Sequence, residues 1–266
     1  MTPLPACLPA CLPAYSEAGQ GDTAVLLLHG IGGGQAIWAA ALPVLAAAGY
    51  RAAALDFPGY GASPGTPTLD DMVQAVQALA QHLGARRTVL VGHSMGGMVA
   101  QEVVARSQAR IDALVLACTS ASFGKSDGAW QARFVAERLA PLAAGLGMAG
   151  MAHMLVPALV APGADARVQA LAMEVMSRVP EPTYRSALQA IAAFDRRAAL
   201  TDIKVPTLCL AAEHDRTAPP DVMQRMAQRI AGAEYQCLQN AGHIANVEQP
   251  AAFQAAVLSF LQRRLA

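Results

Sequence analysis

The sequence predicts an α/β fold, a mainly parallel central sheet with helices on both faces and an inserted helical lid, and three observations point there. Short β-branched or leucine-rich runs alternate with amphipathic alanine-rich segments, the pattern of parallel strands joined by crossover helices. An apolar run at 89–91 breaks at Gly92-His93-Ser94-Met95-Gly96 and resumes with helical spacing, as a strand does when it turns sharply into a helix. Of the 266 residues, 54% are hydrophobic and 14% charged, so the chain can bury a large core and disorder is not expected.

Residues 1–20 are expected to form a loosely ordered arm. Leu-Pro-Ala-Cys recurs at 4–7 and 8–11, and proline at every fourth position excludes a continuous apolar helix. The segment lacks a basic leading stretch and so does not read as a signal peptide, with lipid attachment or export as a second reading. Strands follow at 25–28 and 51–55, with a helix near 36–48 between them. A glycine-rich turn at 56–63 precedes a helix at 69–83, a strand at 88–91, a helix at 95–107 and a strand at 111–117.

From Ser122 to about Leu200 helical segments follow one another with no strand between them, broken at Pro141, Gly145, Gly147 and Pro162-Gly163. Residues 122–200 are therefore expected to form the lid, which would exclude water and supply specificity contacts. Its methionines read as packing between lid helices. A strand at 205–211, a helix at 219–230, a strand at 234–239 and a helix at 250–265 complete a core made of 21–121 and 201–266.

Charge and cysteine content narrow the function. Lys plus Arg equals Asp plus Glu at 19 each, and no basic stripe interleaved with aromatics appears, so nucleic acid is not an expected partner. No uninterrupted apolar stretch is long enough to span a membrane. Cys118, Cys209 and Cys237 fall in or beside apolar strands and read as small core residues; with Cys7 and Cys11 the count is odd and lacks metal-ligand spacing. That usage fits a reducing compartment, so a cytoplasmic location is expected, with no metal.

Gly92-His93-Ser94-Met95-Gly96 reads as a nucleophile elbow. A serine on a strained strand-to-helix turn needs small neighbours where the chain passes close to itself, and the helix start beside it favours developing negative charge. Taken alone the pentapeptide also fits an ordinary glycine-rich turn. Three further segments match what such a serine requires. His29-Gly30-Ile31-Gly32-Gly33-Gly34 follows the first core strand as a loop nearly bare of side chains, and the Ile31 amide with that of Met95 would form an oxyanion hole. A dinucleotide loop is disfavoured because the Gly-x-Gly-x-x-Gly register is missing. Asp215 ends a buried strand, and His243 lies in the turn after the last one. His243 can take and return the proton of Ser94, with Asp215 fixing its tautomer. His93 is expected to point away from Ser94, and Asp56 to be structural.

The order Ser94, Asp215, His243, each after a core strand, resembles the α/β-hydrolase family from about Ala24 to the C-terminus, with a helical cap between the strands near Leu116 and Leu208. Within it, Gly242-His243-Ile244-Ala245-Asn246-Val247-Glu248-Gln249-Pro250 and Val115-Leu116-Ala117-Cys118-Thr119-Ser120-Ala121 are similar to 3-oxoadipate enol-lactonases and related carboxylesterases. His29-Gly30 and His93 depart from the residues usual in those lactonases. The resemblance implies a serine hydrolase that cleaves a small ester or enol-lactone without metal or organic cofactor. Leu55-Asp56-Phe57-Pro58-Gly59-Tyr60-Gly61 is similar to carbon–carbon hydrolases of ring-cleavage products, which stand as the alternative, alongside a slow-turnover small-molecule receptor. Gly30, Trp130 and Arg133 are the expected substrate contacts, Arg133 as the cation for a substrate carboxylate because it follows Trp130 by three positions on a helix.

Overall fold

A computed structural model describes residues 12–124 and 128–265. Seven strands make one sheet: β1 (Tyr15–Ala18), β2 (Thr23–Leu28), β3 (Arg51–Leu55), β4 (Arg87–His93), β5 (Ala113–Ala117), β6 (Thr207–Ala212) and β7 (Glu234–Leu238). Their spatial order is β1-β3-β2-β4-β5-β6-β7, with β1 antiparallel to β3 and all other pairs parallel. Because the register aligns Leu28 with Gly92 and His93 with Ala117, the loops that follow β2, β4 and β5 emerge at one edge. Ligands of open parallel sheets bind at that carboxyl edge.

The strand pleat divides the core in two. Leu26, Leu28, Leu90, Leu114 and Leu116 face α2 (Leu69–Leu83) and α3 (Met95–Ser107). Val25, Leu27, Val89, Val91 and Val115 face the opposite way, against Trp38, α1 (Ala41–Ala47) and the C-terminal helix Pro250–Leu265. All ten are at most 1% exposed, so truncating Leu90 to alanine would cost about 2–5 kcal/mol.

Between β5 and β6 run four helices: α4 (Ala129–Ala143), α5 (Gly147–Leu159), α6 (Ala166–Ser177) and α7 (Glu181–Ala192). The two ends of this insertion are pinned together. Ser122 and Asp195 form an isolated antiparallel bridge, Phe123 N donates to Phe194 O at 3.1 Å, and Arg196 N donates to Ala121 O at 2.7 Å. The Arg196 guanidinium then reaches Glu102 on α3 at 2.5 Å, locking the exit onto the core. Helices α8 (Pro220–Arg229), α9 (Ala245–Glu248) and α10 (Pro250–Leu265) complete the fold. Among the described residues no helix is long and apolar enough to cross a membrane.

Two local expectations need correction. Part of the expected loose arm is strand: Tyr15–Ala18 is the edge strand β1, too short and too exposed to show an apolar run. The Leu-Pro-Ala-Cys repeat at 4–11 lies outside the described residues. The helix expected over 36–48 is a 3-10 turn, Gln35–Trp38, followed by α1. Pro43 explains the break, since its ring would collide with the Ala39 carbonyl in a continuous helix, whereas in the first turn of α1 its missing N–H costs nothing.

Candidate active site

Ser94 sits where β4 gives way to α3, at φ 53° and ψ −119°, a conformation rare for any residue but glycine. Such strain costs on the order of 1–3 kcal/mol and persists only where the surroundings fix it. Here Ser94 N donates to Ala117 O at 3.0 Å, and Ser94 O accepts from Thr119 Oγ1 at 2.7 Å and from Gly97 N at 2.9 Å. Gly92 and Gly96 allow the close passage: a Cβ on Gly96 would lie 2.3 Å from the Leu28 carbonyl oxygen.

Asp215 and His243 come from the loops after β6 and β7. His243 Nε2 lies 2.9 Å from Ser94 Oγ, and His243 Nδ1 lies 2.9 Å from Asp215 Oδ2. The other carboxylate oxygen of Asp215 accepts from the amides of Thr217 at 2.8 Å and Ala218 at 2.9 Å. Burial alone would raise the Asp215 carboxyl, but the adjacent His243 and these amides outweigh it and hold it below its ordinary value. An ionised Asp215 accepts from Nδ1–H, which leaves the Nε2 lone pair of a neutral His243 facing the serine hydroxyl.

The loop after β2 is held from beneath. His29 Nδ1 bonds Gly30 O at 2.8 Å while its Nε2 accepts from Phe57 N at 3.1 Å, so the ring is neutral; burial pushes its pKa down to about 4. Tyr60 donates its hydroxyl to Ile31 O at 2.9 Å, and the Asp56 carboxylate takes both Gln35 N and Gln35 Nε2 at 2.7 Å. Asp56 therefore fixes the loop's exit. The amides of Ile31 and Met95 find no backbone acceptor among the described residues and border the cavity that Ser94 and His243 open into. They are free to donate to an oxygen bound there.

That cavity, about 150 Å³, brings Gly30, Ile31, Ser94, Met95 and His243 together under the helical insertion. Its wall is mostly apolar, with Phe134, Val156, Met176 and Leu188 contributed by α4 to α7. Trp130 and Arg133 do not line it, which corrects their expected contact role. Trp130 stacks on Phe134 at 5.3 Å and tilts against Phe123 at 5.8 Å, while Arg133 is exposed. For Arg133 the reason is helical phase: Phe134, Arg138 and Leu142 follow each other at four-residue intervals and face inward, and Arg133 is a step out of that row, whereas Trp130 heads the row one turn before the residues that reach the cavity. Arg138 and Tyr184 line the cavity in its place. Cys118, also on the wall, is buried at φ 47° beside Asp215; burial and then that carboxylate push its thiol well up, so it stays protonated.

His93 does turn away from the Ser94 hydroxyl, but toward a partner: its Nε2 lies 2.6 Å from the main-chain carbonyl of His243. Cys118, Cys209 and Cys237 are free thiols.

A family model described as the alpha/beta hydrolase fold matches residues 23–250. The RutD protein of Variovorax paradoxus, whose name makes it a candidate carbamate hydrolase, is 32% identical over 94% of this chain and 96% of its own. The 3-oxoadipate enol-lactonase 2 of Acinetobacter baylyi is 28% identical, covering 94% and 92%. Among solved structures, a thermophilic esterase from Thermogutta terrifontis superposes with a TM-score of 0.85 at 27% identity, covering 95% of this chain and 94% of that one.

Proposed function

Because this chain belongs to the α/β-hydrolase family, we propose that it hydrolyses a small carboxylic ester or enol-lactone through an acyl-enzyme on Ser94. The observation that carries this reading is the hydrogen-bonded series Asp215–His243–Ser94 beside the Ile31 and Met95 amides, which meet no backbone acceptor among the described residues. Ser94 Oγ attacks the substrate carbonyl carbon as His243 Nε2 removes its proton, and the carbonyl oxygen becomes an oxyanion that accepts from the Ile31 and Met95 amides. When the intermediate collapses, the carbon–oxygen bond to the leaving group breaks and His243 returns the proton to the departing oxygen. A water then attacks the acyl carbon, giving its proton to His243, which passes it to Ser94 Oγ as the acid leaves.

The four-helix insertion acts as the lid in this reading, keeping bulk water off the acyl-enzyme and limiting the acyl group to the cavity's volume. Enol-lactone and ester specificity among the relatives supports the substrate class. The test is steady-state hydrolysis of 3-oxoadipate enol-lactone and of 4-nitrophenyl acetate and butyrate by the wild type and by Ser94→Ala. The expected result is turnover of at least one class and a loss of kcat of about 10⁴-fold or more in the variant. Equal turnover by the two proteins would overturn the assignment of Ser94.

A further inference from the structure

Among the described residues that line the cavity, Arg138 alone carries a permanent charge, and no carboxylate lines the same wall. Three other arginines of the insertion are neutralised: Arg167 pairs with Asp165 at 2.6 Å, Arg178 with Glu174 at 2.6 Å and Arg185 with Glu181 at 2.7 Å. Arg138 makes no such pair among the described residues. Its Cζ lies 5.1 Å from the centroid of the Phe134 ring, a cation–π contact that orients the guanidinium without cancelling its charge. It is half-buried, at the apolar wall, where an unpaired cation is costly and a bound anion would be held more strongly than in water.

Tyr184, from α7, stands on the same wall and is 2% exposed. Burial raises its phenol, and the positive charge of Arg138 acts against that rise, so the two groups are within electrostatic reach of one another. A guanidinium fork with a phenol on the same wall matches a carboxylate, which can accept two parallel N–H bonds and a third from the hydroxyl. Apolar side chains, Val156, Leu188 and Met176 among them, fill the remainder of the wall that Ser94 shares with this pair.

We propose that Arg138, with Tyr184, is a carboxylate subsite, and that the preferred substrates are half-esters or lactones bearing a free carboxylate a short apolar spacer away from the scissile carbonyl. This rests on the assignment of Ser94 as the nucleophile. The subsite selects the anion through KM, because the carboxylate is present equally in ground state and transition state.

The test compares monomethyl adipate with methyl hexanoate, esters of equal acyl length that differ in the terminal carboxylate, by proton release in wild type, Arg138→Gln and Arg138→Lys. In the wild type the half-ester should have the higher kcat/KM. In Arg138→Gln the ratio of the two kcat/KM values should fall about 30-fold, the loss carried by KM, as expected for removing a charged hydrogen-bonding partner. Arg138→Lys should restore part of it, since it keeps the charge but not the fork. An unchanged ratio overturns the subsite, whatever the absolute rates do. Calorimetric binding of monomethyl adipate to Ser94→Ala, with and without Arg138→Gln, separates the two claims. Binding that depends on Arg138 in a wild type that hydrolyses neither ester would keep the subsite and remove the ester-hydrolase reading. Hydrolysis of methyl hexanoate with no Arg138-dependent preference or binding would do the reverse.

Discussion

His93 donates from Nε2 to the main-chain carbonyl of His243 across 2.6 Å, so the residue preceding Ser94 holds in place the residue whose ring bonds Ser94 Oγ. The two rings lie 5.1 Å apart. With Nε2 donating and Nδ1 buried without a partner among the described residues, His93 is neutral; burial first, and then the proximity of His243, push its pKa down to about 3. A neutral ring here would spare the imidazolium that the proposed mechanism forms on His243 from a neighbouring positive charge. His93→Ala should lower kcat about tenfold with little change in KM, because it frees the loop of His243, the proposed general base, and removes neither Arg138 nor Tyr184. His93→Gln retains an N–H at similar reach and should keep most of the rate. Wild-type kcat in His93→Ala would reduce the bond to packing.

Acid should destabilise the fold well above the range where carboxylates titrate. His29 and His93 are fully buried as neutral bases, with pKa values near 4 and 3 against an ordinary 6.5. A depressed folded-state value means that the unfolded chain binds the proton first. The stabilisation is therefore complete above about pH 6.5 and is lost as pH falls toward the folded values. Each histidine should contribute a slope of about 1.4 kcal/mol per pH unit between about pH 6 and pH 4. Urea midpoints measured from pH 7.5 to 4.5 should show it, and His93→Gln should remove about half of the slope. Asp215, held below its ordinary value, acts only at lower pH. Stability that stays flat from pH 7 to 5 would mean both rings can be protonated in the folded chain.

The loop of His243 is also tied to the insertion. Glu248 accepts from Gly242 N at 3.0 Å and from Ala161 N at 2.7 Å, and His243 N donates to Leu159 O at 2.6 Å. The end of α5 and the loop that carries His243 are thus bonded to each other. Glu248→Ala strands two amides, each costing about 1–3 kcal/mol where no water reaches it. Hydrogen exchange should quicken at 159–163 and at 240–248 together, with a fall in kcat. Faster exchange in only one of the two segments would show that the carboxylate does not couple them.

Much of this arrangement is legible in the chain because strong local signals coincide with it. The expected strands at 25–28, 51–55, 88–91, 111–117, 205–211 and 234–239 each overlap an observed one, and the helices at 69–83, 95–107 and 250–265 have the expected bounds. Ser94, Asp215 and His243 each follow such a strand, and the sheet register brings them together. What depends on tertiary phase was not legible. Arg133 and Arg138 lie on the same helix, and only the docking of α4 decides which faces the cavity. The four-residue spacing of Phe134, Arg138 and Leu142 was the available signal, an arginine within an apolar row. His93 gave no sign of its partner, because a bond to a backbone carbonyl 150 residues away leaves no mark on sequence pattern.

Space alone, without backbone strain, should make Gly96 hard to replace. Its φ is unremarkable for an L-residue, but an added Cβ would lie 2.3 Å from Leu28 O, 2.6 Å from Leu28 C and 2.8 Å from His29 O. Those atoms belong to the end of β2 and the start of the loop that presents the Ile31 amide, so relief of the clash must shift that loop or α3. Gly232, in the turn between α8 and β7, is the useful contrast: its φ is +73° and an added Cβ meets nothing within 4 Å. Gly232→Ala should cost only the left-handed penalty, about 1–2 kcal/mol, and leave kcat untouched. Gly96→Ala should cost about 3 kcal/mol or more. It should also lower kcat in whatever fraction remains folded, because the Ile31 and Met95 amides can no longer converge on one oxygen. Urea midpoints and active-site-titrated rates for the pair decide it, and similar losses of stability in both variants would show that the Leu28 carbonyl yields without disturbing the oxyanion loop.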